Sequence, residues 1–311
     1  MTLPGGKAPA IWRARKYTGP ERRRTKRWRP RPLRVLLVLL IVAAIGYGAA
    51  VVWLITQETR IVFQAGRTLA TGRPAFPYEQ VDLPRADGAR QFAWVMRRTA
   101  SDDGPWVLFL HGNAATIASK VNIAHYTELR ALGLNVLAPE YRGFGGLDGS
   151  PTEAVLEADA RAAYDYLHVT RRIAPDRIVI YGWSLGGAVA VNLAAQTEEA
   201  AVILEGAPAA VVDIGQLRHP FFPIRLIMRN PFNSIGKIER IGSPMLFLHG
   251  IDDAVVPISE GRRLFAAARG DKTFVEVRGG HVSASEEDGE RFYGAIRQFL
   301  KLTVVENGEV Q

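Results

Sequence analysis

The longest uninterrupted hydrophobic run covers residues 35–55, twenty-one positions without a charge. As a helix it would reach about 32 Å, enough to cross the hydrocarbon core of a bilayer. A cleaved signal peptide usually has an apolar core of only about 7–15 residues, and no polar face marks this run as a buried amphipathic helix. The pattern therefore predicts a transmembrane helix over 33–56, followed by a connector over 57–77. Beyond it the periods shorten. Residues 79–83 and 91–97 flank Asp87-Gly88, a hairpin signal, which predicts an antiparallel start. Short apolar runs at 106–110, 135–138, 178–181, 201–204, 245–248 and 274–277 read as strands. They alternate with helical stretches near 117–132, 152–170, 185–197, 259–268 and 287–302. Such alternation implies an α/β domain over 78–304, a mostly parallel sheet with helices on both faces. Residues 207–241 fit neither a strand nor a long helix and read as a lid-like insert, and 305–311 as a short tail.

Charge refines the first of these elements. Residues 1–34 carry twelve Lys or Arg and a single acid, Glu21, a balance of +11 in a chain whose total is +8. The rest of the chain is therefore at −3, and the pI of 9.9 describes a tail. Rich in Pro, Gly and Arg and without periodicity, residues 1–32 are expected to be disordered in water. Nucleic-acid binding is the other use of such a run, but an apolar segment follows directly and gives the charges a simpler role, so no nucleic-acid partner is expected. The positive-inside bias places the N-terminus in the cytoplasm and the α/β domain outside, with Trp28 and Trp53 near the two interfaces. An excess of Arg over Lys suggests a bacterial source, hence an inner membrane and a periplasmic domain. The absence of cysteine excludes disulfides, a thiolate nucleophile and cysteine-ligated zinc. No metal or organic cofactor is implied.

Candidate chemistry centres on Gly182-Trp183-Ser184-Leu185-Gly186, a G-x-S-x-G pattern set between a β-branched run and small helix-compatible residues. This is the context of a nucleophile elbow, a strained turn that lifts a serine oxygen clear of a sheet. A serine needs a base to take its proton. Of the six histidines, His125 and His168 fall in helical patterns, His219 in an irregular segment, and His111 and His249 in His-Gly pairs suited to tying down loops. His281, in a Gly-Gly-His loop after the last strand, is the candidate base. The orienting acid should lie between serine and histidine at a strand end. Asp252 and Asp253 both qualify. The developing oxyanion needs two backbone donors. Leu185 follows the serine, and Asn113 follows the 106–110 strand.

The stretches Leu108-Phe-Leu-His-Gly-Asn-Ala114, Glu140-Tyr-Arg-Gly-Phe-Gly145, Gly182-Trp-Ser-Leu-Gly-Gly187, His249-Gly-Ile-Asp-Asp253 and Gly280-His281 occur in the order of a known family. Over roughly residues 60–302 the chain resembles the membrane-anchored serine hydrolases of the α/β-hydrolase domain-containing family. The resemblance selects Asp253, because Asp253 and Pro257 have the family's spacing from acid to proline. It implies esterase, lysophospholipase or acyl-protein thioesterase chemistry without choosing among them. Gly146 and Trp183 depart from residues common in relatives, and both bear on pocket shape or loop polarity. The expectation is a single-pass serine hydrolase acting on an acyl ester or thioester, with the bilayer as its other partner. Trp183, Tyr141, Phe221, Phe222 and Leu226 are the candidate pocket residues. A peptidase or carbon–carbon bond hydrolase could use the same groups. A silent scaffold that binds an acyl ligand is the reading from a different class.

Overall fold

The computed structural model describes residue 19 and residues 32–65, 71–85, 87–99 and 104–305. The expected disordered tail over 1–32, Trp28 and the short tail after 305 thus lie almost wholly outside the described residues. Two compact units are present, one ending at Ala49 and one starting at Ala50.

The strands are β1 (Glu79–Asp82), β2 (Phe92–Met96), β3 (Trp106–Leu110), β4 (Asn135–Pro139), β5 (Ile178–Trp183), β6 (Ala201–Glu205), β7 (Met245–Gly250) and β8 (Lys272–Val277). They form one sheet in the order β1-β2-β4-β3-β5-β6-β7-β8. The expected hairpin is there: β1 and β2 are antiparallel, β2 joins β4 antiparallel, and every later pair is parallel. β3 to β7 are buried along their whole length, which is why they read as continuous apolar runs.

The alternation of side chains across the sheet makes two cores. Trp106, Leu108, Leu110, Ile178 and Ile180 face one side with Leu156, Ala160, Val189 and Leu193. Val107, Phe109, Val179 and Tyr181 face the other with Tyr126, Leu129, Phe292 and Ile296. The covering helices are α2 (Lys120–Ala131), α3 (Glu153–Asp165), α4 (Leu185–Ala194), α7 (Ile258–Ala267) and α9 (Gly289–Val305). Thr152 caps α3, its hydroxyl accepting from Val155 N–H at 3.2 Å. The helical stretch expected over 287–302 is divided at Asp288 into α8 (Ala284–Glu287) and α9, because Asp288 turns out of the helix and takes the Arg278 N–H at 3.0 Å.

α1 (Pro32–Phe63) carries the apolar run and is, among the described residues, the one helix long and apolar enough to cross a membrane. It does not stop at 56. It continues through residues expected to form a connector, because Glu58 and Phe63 are buried within the second unit. The insert contains α5 (Val211–Arg218) and α6 (Ile224–Ile227). Neither shows a helical signal in the sequence, since both are short.

Candidate active site

Parallel register aligns the C-terminal ends of β3, β5, β6, β7 and β8. Leu110 pairs with Gly182, Trp183 with Glu205, Glu205 with Leu248 and Gly250 with Val277. The loops leaving these ends therefore meet at one edge, where open α/β sheets place their chemistry.

Ser184 is the turn between β5 and α4, with φ 56° and ψ −118°, a conformation that L residues adopt only under constraint. Its N–H donates to the Glu205 carbonyl at 2.8 Å, and its carbonyl accepts from Gly187 N–H at 2.9 Å. Glycine is required on both sides of the turn. A Cβ on Gly182 would run into Gly186 and Gly187, and one on Gly186 into the Leu110 and His111 carbonyls. The residue is 7% exposed.

His281 stands in the loop after β8, 2.7 Å from Ser184 Oγ through Nε2 and 2.7 Å from Asp253 Oδ2 through Nδ1. An ionised carboxylate only accepts, so Nδ1 carries the proton and Nε2 faces the hydroxyl as an acceptor. The loop is held by Gly280 N–H donating to Ser283 Oγ and by Trp183 Nε1–H donating to the His281 carbonyl at 3.3 Å. The Trp183 and His281 rings stack at 6.0 Å.

Asp253 is buried near the start of the loop after β7. Its Oδ1 accepts from Val255 and Val256 N–H, both at 2.8 Å, and His249 Nε2 lies 3.4 Å from its Oδ2. Burial would raise its pKa, but bonds from His249, His281 and Val256 outweigh it and hold the carboxyl well below the usual range. Asp252 is exposed and meets the His281 loop only through its backbone, donating to Gly279. Of the two aspartates, the structure brings Asp253 to the histidine.

Asn113 lies in the loop after β3. Its Nδ2 donates to the Val62 carbonyl at 2.5 Å and its Oδ1 accepts from Ala114 N–H at 2.8 Å. Among the described residues, nothing accepts from the backbone N–H of Asn113 or of Leu185. Both donors are thus unspent within the described residues. His111, buried, spans the base of this loop, 2.9 Å from the Gly112 carbonyl and 3.0 Å from Glu140 Oε1.

The pocket residues divide differently from expectation. A cleft of about 1350 Å³ borders the site through Asn113, Trp183 and Val282, with the charged Lys120, Glu290 and Arg297 further along it, but neither Ser184 nor His281 is in its lining. Trp183 is thus at the cleft, but Tyr141, Phe221, Phe222 and Leu226 are not. Tyr141 is in the core, its ring 4.4 Å from that of His111. Phe221 and Leu226 are each 86% exposed, and Phe222 is half-buried. The reason is that Ile224, Ile227 and Met228 turn toward Leu54, Ile55 and Val62 of α1. The apolar density of the insert serves that contact and the outer surface, and does not line the cleft.

A buried cluster below the site has no sequence signal. His125 Nε2 donates to Glu205 Oε2 at 3.0 Å and Nδ1 to the Val121 carbonyl at 2.8 Å, while Tyr181 OH donates to Glu205 Oε2 at 2.6 Å. Burial alone would lower the His125 pKa, yet the Glu205 charge outweighs it and raises it. The His125 ring stacks on Trp183 at 6.2 Å. A helical histidine whose partner lies eighty residues away cannot be paired by pattern.

Comparison with known proteins finds relatives of this chain. The sequence profile of the alpha/beta hydrolase family matches residues 107–234. The alpha/beta hydrolase domain-containing protein WAV2 of Arabidopsis thaliana is 32% identical over 243 residues, 72% of this chain and 79% of that protein. The lysophosphatidylserine lipase ABHD12 of Danio rerio is 34% identical over 60% of this chain and 52% of its own. Among solved structures, the Pyrococcus furiosus esterase Pf2001 superposes with a TM-score of 0.63 at 20% identity, covering 74% of this chain and 91% of that one.

Proposed function

Because the chain belongs to the alpha/beta hydrolase family, we propose that it is a membrane-anchored serine hydrolase that cleaves carboxylic ester or thioester bonds of acyl substrates. The observation that carries this reading is the unbroken line of hydrogen bonds from Ser184 through His281 to Asp253.

As Ser184 Oγ attacks the carbonyl carbon, its proton passes to His281 Nε2. The imidazolium so formed is offset by Asp253, whose depressed pKa keeps it ionised. The carbonyl oxygen becomes an oxyanion and takes the N–H groups of Asn113 and Leu185. Collapse of this intermediate breaks the bond to the leaving oxygen or sulfur, which receives the proton from Nε2. Water then attacks the acyl-enzyme with His281 again as base, releasing the acid and restoring the serine. None of these steps calls on a metal or organic cofactor. The lipase relative supports an acyl ester.

The full chain in detergent micelles, given p-nitrophenyl esters from acetyl to palmitoyl and the matching thioesters, should release one equivalent of product per chain in a burst before steady turnover. A fluorophosphonate should label it. A folded protein that is neither labelled nor active on any of these acyl donors would sink the reading.

The charge bias further supports a cytoplasmic N-terminus and an outer catalytic domain, in a bacterium the periplasm. A reporter that is active only outside the inner membrane, fused after Gln311, should therefore be active. Activity of a cytoplasm-only reporter at the same position would reverse the topology.

A further inference from the structure

Among the described residues of the unit that holds the sheet, Phe221 and Leu226 are the most exposed large apolar residues, each at 86%, and Leu217 is at 65%. Three such residues within ten positions are more than the scattered exposure of an ordinary surface. They alternate with Arg218, Arg225 and Arg229. The guanidinium groups of Arg225 and Arg229 are paired with Asp213 and Glu58, but both side chains remain about two-thirds exposed, at 66% and 62%.

The same segment is fastened to the membrane-type helix. Arg229 Nη2 donates to the Ile55 carbonyl at 3.0 Å, at the last residue of the apolar run. Glu58 accepts from the backbone N–H groups of both Arg229 and Asn230. Ile224, Ile227 and Met228 meet Leu54, Ile55 and Val62 around a cavity of about 70 Å³. The end of the apolar run of α1 and the α5–α6 segment therefore pack side by side within the second unit.

We propose that this segment is a membrane-contact surface, with Phe221 and Leu226 inserted at the acyl boundary of the bilayer that α1 enters and Arg225 and Arg229 at its phosphates. Apolar tips beside arginines, next to the end of an apolar helix, match the layered chemistry of a lipid interface. Such a surface does not need the hydrolase reading to be correct.

The chain has no cysteine, so one introduced thiol gives one label. Phe221→Cys, Leu226→Cys and, as a distant exposed control, Val169→Cys would each carry an environment-sensitive nitrobenzoxadiazole probe. The full chain would be placed in vesicles of phosphatidylcholine and phosphatidylglycerol. The probes at 221 and 226 should emit blue-shifted light and lose emission when doxyl-labelled lipids are included, while the probe at 169 emits as in water and is not quenched. Absence of doxyl quenching at either 221 or 226 overturns the proposal. A blue shift without that quenching identifies a protein partner or a second copy on this face, and overturns it equally.

Discussion

Replacing Ser184 with alanine should lower kcat by roughly a million-fold, to the level left by substrate binding and the oxyanion donors alone. The size of the effect follows from the arrangement. In the proposed mechanism His281 Nε2 and Asp253 act only through the serine oxygen, so removing that oxygen should disable all three groups at once. Folding should be nearly unaffected. The Ser184 backbone has φ 56° whichever of the two residues is present, and alanine pays the same conformational cost as serine. Gly112 still packs against the Cβ, which both residues have. Turnover of a p-nitrophenyl ester, fluorophosphonate labelling and thermal unfolding of the full chain together check this. Labelling should vanish while the unfolding temperature stays within a few degrees, at about 1 kcal/mol or less. A folded variant that keeps more than about a thousandth of the wild-type rate would mean that another nucleophile, or a water activated directly by His281, carries the reaction.

Much of this site was legible in the sequence because the fold writes it locally. A buried parallel strand must be apolar throughout and must stop where its loop begins, so the ends of the runs at 106–110, 178–181 and 245–248 mark the loops that hold Asn113, Ser184 and Asp253. The elbow adds a steric signature, since only glycine fits where β5 and α4 pass each other. Side-chain surroundings are another matter. Tyr141 sits next to a motif yet fills the core against His111, and a motif says nothing about which way a ring turns. Phe221 and Leu226 read as a pocket lining because apolar residues default to the inside, whereas the structure leaves them exposed. The His125–Glu205 pair and the junction of α1 with the insert join residues 80 and 171 or more positions apart, and a single sequence contains no record of such pairings.

The α1 junction yields the second large effect. Glu58→Ala should destabilise the catalytic unit by about 2 kcal/mol, a cost typical of stranding buried hydrogen-bond donors beside a partly exposed ion pair. Glu58 is 6% exposed, and its carboxylate takes Arg229 N–H, Arg229 Nε–H, Asn230 N–H and Asn230 Nδ2–H between 2.7 and 3.0 Å. Alanine would leave the two Asn230 donors without an acceptor where Asn230 is buried and water has little access, while the exposed Arg229 can turn to water. The loss should spread, because Asn230 Oδ1 accepts from Glu153 N–H and Glu153 in turn holds Phe232 N–H. Phe232 packs edge-on against Phe63, at 5.9 Å, so the end of α1 and the insert would loosen together. Glu58→Gln keeps one carbonyl oxygen for three of the donors but turns an amide toward Arg229 Nε, and should cost less, on the order of 1 kcal/mol. Denaturant unfolding of the full chain in micelles, followed by tryptophan fluorescence, would rank wild type, Gln and Ala in that order. Catalysis should respond as well, since the next turn of the same helix presents the Val62 carbonyl to Asn113, a candidate oxyanion residue. Equal stability of Glu58→Ala and wild type would show that the helix end merely rests on the catalytic unit. The expected ranking would show that the anchor is part of it, and that a soluble fragment beginning after residue 58 removes a structural element of the enzyme along with its tether.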